Sequence, residues 1–297
     1  ENTPALQSNL EKNQELKQLL LQQTPWVLEA KDESERKRRI GILFNIGKMR
    51  KEFTKAENTL FDMQLQNGGF PWFKGYPWDD RFITQHIVCG FGKLDKLGVK
   101  DLRKKGKTAQ MINKALQYID GKMYNDYLEL KKYGQDESFT SSFISHYFYT
   151  RSFYDKSYPI NDQYKIAYDY FYTRLQKHWL QLDKYSQGMA AIALYRNGDI
   201  ITANKIIQSL KQNMYSSEEM GLYFVKETGY YWYQAPIETQ AMMIEAFDEI
   251  ANDQENIDKM KTWLLKQKQT QDWKTTKATV EACYALMLRG IDYLSES

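Results

Sequence analysis

The pair Asp79-Asp80, directly after Pro77-Trp78, is the first place where two carboxylates could share acid–base work. Two patterns would make such a pair reactive. An acid-donating Asp-x-Asp-Asp arrangement needs a carboxylate at 77, where proline stands, and a metal-diphosphate Asp-Asp-x-x-Asp arrangement needs one at 83, where isoleucine stands. The pair therefore reads as helix N-capping before Phe82, with a contact to a ligand or neighbouring domain as its other use. Glu238 follows Pro236 in a helix's first turn, where the dipole favours a carboxylate. Its alternative is a rim contact made together with Trp232 and Tyr233, and Trp72 and Trp273 join that candidate contact set.

The thiols and imidazoles assemble nothing stronger. Cys89 lies between Val88 and Gly90, and Cys283 between Ala282 and Tyr284, so both read as buried structural thiols with no neighbour to stabilise a thiolate. His86 is three residues before Cys89, a spacing that packing explains, while His146 and His178 sit among aromatic residues without a partner spacing. No metal site or cofactor is expected. Tyr147-Phe148-Tyr149 and Tyr168, Tyr170, Phe171 and Tyr172 offer rings for a sugar or peptide, yet they read as filling between helix layers, with hydroxyls at the surface. Arg103-Lys104-Lys105 with Lys107 is a solvated charge run.

The elements that must hold these residues are helices. In 297 residues there are 16 Gly and 6 Pro, about 7% together against ~12% in an average chain, which argues against a sandwich, barrel or loop-rich scaffold. A 14% aromatic content supplies a large core and excludes disorder. The net charge of +3 implies no field for nucleic acid. No apolar stretch is long enough to cross a bilayer. Periodicity marks about twelve helical segments: 6–23, 33–51, 55–66, 81–97, 107–131, 138–153, 161–178, 184–196, 200–213, 236–251, 254–268 and 275–289. Ser8-x-x-Glu11 and Asp32-x-x-Glu35 have capping-box spacing. In the last segment Ala278, Ala282, Ala285 and Leu286 leave only a narrow polar stripe of Lys277, Glu281 and Arg289, the mark of a buried helix. No linker composition splits the chain, so a single domain over 1–297 is expected, with 1–23 as a possible extension. The opening Glu1-Asn2-Thr3-Pro4 reads as an excised piece or a mature form.

An internal echo supports a repeat. Leu60-x-x-x-Gln64 before Gly68-Gly69-Phe70-Pro71-Trp72 resembles Leu264-x-x-Gln267 before Asp272-Trp273, and a Thr follows each (Thr84, Thr275). Each copy reads as a turn that re-aims the chain between layers, with Gln bonding turn backbone and Trp plugging the gap.

The run Tyr230-Tyr231-Trp232-Tyr233-Gln234-Ala235-Pro236-Ile237-Glu238-Thr239-Gln240-Ala241 is similar to the corresponding segment of bacterial α2-macroglobulin-type proteins. So are Trp263-Leu264-Leu265-Lys266-Gln267, Trp273-Lys274-Thr275-Thr276, Gln66 to Gly75 with Ile83-Thr84, and Thr24-Pro25-Trp26 with Glu29-Ala30. Their order matches that family's helical thioester-type domain over about residues 24–289, with 100–225 matching only as a helical pattern. The resemblance implies an all-α, α/α toroid of six helical hairpins in inner and outer rings, a terpenoid-cyclase-like fold, excised from a larger exported chain of the periplasm or cell surface. It implies neighbouring β-sandwich domains and a target peptidase as partners. Reactive members carry Cys-x-x-Gln; here Cys89 is followed by Gly90-Phe91-Gly92 and Cys283 by Tyr284-Ala285-Leu286, so no internal thioester can close. A non-enzymatic structural and interaction role in a peptidase inhibitor is the resulting expectation. The rivals are a toroid enzyme acting on a glycan or terpenoid and a glycan- or peptide-binding scaffold.

Overall fold

The computed structural model describes residues 46–98, 106–134, 140–224, 236–270, 273 and 275–288, and these are mostly helical. In chain order they form α1 (Ile46–Met63), the two-residue strands β1 (Phe70–Pro71) and β2 (Asp79–Asp80), α2 (Arg81–Lys96), α3 (Lys107–Tyr133), α4 (Ser142–Arg151), α5 (Asp162–His178), α6 (Lys184–Arg196) and α7 (Ile200–Gln212). A hairpin of β3 (Tyr215–Ser217) and β4 (Gly221–Tyr223) follows, then α8 (Pro236–Ala246), α9 (Gln254–Thr270) and α10 (Thr276–Met287). Two compact units result. One holds Leu60–Met214 and Ala246–Asp253; the other takes its described residues from within Glu1–Thr59, Tyr215–Glu245 and Gln254–Ser297.

The helices expected from 81 onward are present within a few residues of their predicted bounds. Two differences have physical causes. The break expected at 52–54 is absent, because Glu52-Phe53-Thr54 holds no glycine or proline and α1 runs straight through. The last turn of the segment 236–251 loosens into a π-turn over Phe247–Ala251, ended by Asn252 in the left-handed region at φ 52°. The expectations for 6–23, Thr24-Pro25-Trp26, the two capping boxes and Arg103-Lys104-Lys105 lie outside the described residues.

In the first unit α6 packs against both α4 and α7, α3 packs against α5, and α2 packs against α3 and α4. The run Ala190-Ala191-Ile192-Ala193-Leu194 on α6 is wholly buried, as a helix lined by small residues and covered by neighbours must be. Side-chain caps start most of these helices: Asp80, Ser141, Asn161, Asp183 and Asp199 each accept a backbone N–H from the first turn they precede. In the second unit β4 lies on α9, and α9 packs against α10. The amide of Gln240 on α8 donates to Leu222 O at 2.9 Å and Met260 O at 3.2 Å, tying the hairpin and α9 to α8 from a buried position. Met243, Ile244, Leu264, Trp273 and Ala282 fill this unit's core.

Candidate functional site

Residues 64–70 link α1 to β1, and their geometry decides where Asp79 points. Gln64 Nε2 donates to Gly68 O at 3.0 Å and to Met111 O on α3 at 2.9 Å, the backbone-bonding part expected of it. Gly68 has φ 89°, and a Cβ there would stand 2.3 Å from Lys114 O, so only glycine fits both the conformation and the close approach. At Gly69 a Cβ would meet Tyr118 Cε2 at 2.8 Å and Asp79 Cβ at 2.9 Å. The missing side chain is what lets Asp79 and Tyr118 come together. Phe70, fully buried, fills the interior at this turn, and its N–H donates to Thr84 Oγ1 at 2.8 Å. Thr84 Oγ1 in turn donates to Asp80 O at 2.7 Å. Trp72 does not plug a gap as the sequence suggested; it is 44% exposed, and Phe70 takes the interior place.

Strands β1 and β2 pair antiparallel, Phe70 with Asp80 and Pro71 with Asp79, and so close residues 72–78 into a loop. Its aromatic residues face water: Phe73 and Trp78 are each 67% exposed and Tyr76 51%. Four large aromatics in seven residues are a concentrated exposure rather than a scattered one. The acidic pair divides its labour. Asp80 is the N-cap of α2, accepting Ile83 N–H at 2.8 Å, the capping part expected of the pair. Asp79 lines a cavity instead.

That cavity, about 350 Å³, is open to solvent. One face of α3 supplies Gln117, Tyr118, Gly121, Lys122 and Asn125, the turn supplies Asn67 and Asp79, and α5 supplies Tyr164. Asn67 Nδ2 donates to Asp79 Oδ2 at 2.9 Å, and Lys122 Nζ lies 3.4 Å from the same oxygen. Partial burial pushes the Asp79 carboxyl up, but the Tyr118 hydroxyl, the Lys122 ammonium and the Asn67 amide outweigh it and hold the group below its ordinary value. Burial and the Asp79 charge push Tyr118 far up, although its hydroxyl makes no well-aligned hydrogen bond. The cavity thus holds a carboxylate paired with an ammonium, with amides around them.

A second polar cluster lies inside the same unit, and sequence reasoning missed it. Arg151, 1% exposed at the end of α4, sets Nε 3.3 Å from Asp120 Oδ1 and 3.8 Å from Asp155 Oδ1, while Nη1 donates to Tyr158 O at 2.9 Å. The Tyr147 hydroxyl donates to Asp120 Oδ1 at 2.7 Å. The tyrosine hydroxyls expected at the surface are corrected on this point: Tyr147 turns inward because a buried carboxylate needs the donor. Burial raises Asp155 to about 6, against the opposing pull of Arg151 and with the repulsion of Asp120 added. Burial likewise raises Asp120, opposed by Arg151 and Tyr147. The signal that could have found this cluster is Arg151 at the end of an otherwise unbroken buried stretch from Ile144.

The remaining candidates separate. Glu238 does stand in the first turn of α8, but it is 1% exposed and 4.0 Å from Lys277 Nζ, so it belongs to a buried group and not to an exposed rim. Burial raises its carboxyl, Lys277 opposes that, and Glu281 adds to it. Trp273 is 1% exposed, with its indole N–H donating to Leu264 O at 3.3 Å, which fits the plug expected of it and removes it from the rim. Trp232 and Tyr233 lie outside the described residues. Both cysteines are buried, and burial pushes Cys283 up to about 11, so it holds its proton at neutral pH. His86 stacks on Phe82 at 5.8 Å between centroids. Among the described residues no group of His, Cys, Asp and Glu could hold a metal ion, and no helix is long and apolar enough to cross a membrane.

No protein-family model matches this chain, and no characterised protein is significantly similar to it.

Proposed function

We propose that the chain is the helical, α/α-toroid domain of a bacterial α2-macroglobulin-like peptidase inhibitor, working as a structural and interaction module without covalent capture. The structural observation that carries an interaction role is the loop 72–78, whose four aromatics stand in water on a base closed by β1 and β2. A surface of that kind is suited to burial against a partner. The ordered resemblance over about residues 24–289 supports the family, and the absence of Gln three residues after either cysteine supports the non-covalent mode. The partners under this reading are β-sandwich domains of an exported parent chain and a trapped peptidase.

The test uses the parent protein, titrated into a general peptidase, with residual activity read on a small peptide and on a large protein substrate. Selective loss of activity on the large substrate is the expected result, since a sterically caged peptidase still admits small molecules. Equal retention of both activities rejects the inhibitor reading.

A further inference from the structure

We infer that the cavity between Asp79 and α3, together with the tryptophans of loop 72–78, is a binding site for an uncharged oligosaccharide. This goes beyond the inhibitor reading and does not depend on it.

The lining selects the ligand class by exclusion. Asp79 and Lys122 cancel in charge and hold each other at 3.4 Å, so the cavity offers neither the positive excess an anion needs nor the negative excess a cation needs. Gln117 and Asn125 add amides with both donors and acceptors, and Tyr164 adds a phenol. An apolar ligand would leave these groups without partners, at a cost in affinity. A neutral molecule bristling with hydroxyls satisfies them, because each hydroxyl both donates and accepts.

The second requirement of a sugar is a flat apolar surface beside the polar groups, since a pyranose ring shows hydroxyls at its edge and C–H bonds on its faces. Trp72 directly follows Pro71, and Trp78 directly precedes Asp79; Pro71 and Asp79 are paired across β1 and β2. Both indoles flank that pair in the chain and are exposed, at 44% and 67%, while the rings of Tyr118 and Tyr164 line the cavity itself. The cavity's volume of about 350 Å³ sits at the small end of the ~300–1,000 Å³ seen for small-molecule sites, which suits one sugar unit held there while its neighbours run out over the loop. Gly69 preorganises the whole arrangement by admitting Asp79 to Tyr118.

The experiment titrates the chain with cellotriose, maltotriose, laminaritriose and chitotriose at millimolar concentration, following tryptophan emission and amide NMR shifts. At least one of these trisaccharides gives saturable binding, with shifts at Gln117 to Asn125. Trp78→Ala and Asn125→Ala are exposed changes outside the core, and each weakens that binding by about tenfold or more while leaving the thermal midpoint unchanged. No saturable binding to any of the four, or binding that both variants leave intact, overturns the inference. The peptidase titration reads neither indole nor cavity, so the two proposals fail separately.

Discussion

Helix α3 carries a carboxylate cluster on each of two faces, and the two behave in opposite ways. On one face Asp79 meets Lys122, Tyr118 and Asn67, and its carboxyl is held low. On the other, Asp120 with its neighbour Asp155 meets Arg151, Tyr147 and Tyr168, and both carboxyls are driven up. The partner types are nearly the same: a cation, a phenol and an amide or second acid. What differs is water. Beside the open cavity the desolvation cost is small and the partners win, whereas around Arg151 one guanidinium serves two buried carboxylates and cannot offset the loss of hydration for both. A pairing list alone would not separate these clusters; burial decides the sign.

Removing the shared cation should break the comparison most severely. Arg151→Leu leaves two buried carboxylates without their counter-ion and should cost about 3–5 kcal/mol, read as a lowered urea midpoint. The deficit should shrink in acid, where both carboxylates take up protons. A milder change sharpens the contrast. Because Asp155 is raised to about 6 from an ordinary 3.8, the folded chain holds its proton more tightly than the unfolded chain. This group's contribution therefore weakens stability as pH rises through about 4 to 6, and Asp155→Asn should remove that slope, shifting the difference in thermal midpoint from wild type by roughly 5 °C across the window. On the opposite face, Gly69→Ala drives a methyl into Tyr118 and Asp79 and should cost about 1–3 kcal/mol by thermal denaturation. Smallest of all, Lys122→Met should change stability by less than about 1 kcal/mol, the range of an exposed pair. Its readout is the Asp79 carboxyl, which should titrate higher in NMR than in wild type.

Much of the helical framework was legible in the sequence. Three- and four-residue spacing located α2 to α10 closely, since few glycines or prolines compete with it. Asp80 as a cap, Gln64 as a backbone-bonding group and Trp273 as a plug were legible for the same local reason. The strands were not: two- and three-residue ladders are too short to show alternation. The Arg151 cluster was hidden because Asp120 is far away in sequence, while Arg151 and Asp155 alone have the i, i+4 spacing of an ordinary surface pair. Glu238 misled as a rim residue because the helix dipole explains its position equally well whether the turn is exposed or buried.

The contact of Gly68 with Lys114 also bears on the order in which the chain folds. The turn can form its own bonds, Gly68 N to Leu65 O at 2.9 Å and Leu65 N to Gly69 O at 2.9 Å, from residues that are neighbours in the chain. Its orientation is another matter, because Gln64 donates to the carbonyl of Met111 and Gly68 leaves room for the close approach of the Lys114 carbonyl, both on a helix more than forty residues ahead. A loop of that length closes only after α3 offers a regular surface to close upon. The turn is thus nucleated locally but aimed late, and a folding transition state that already contains α3 should leave the Gly68 contact unmade.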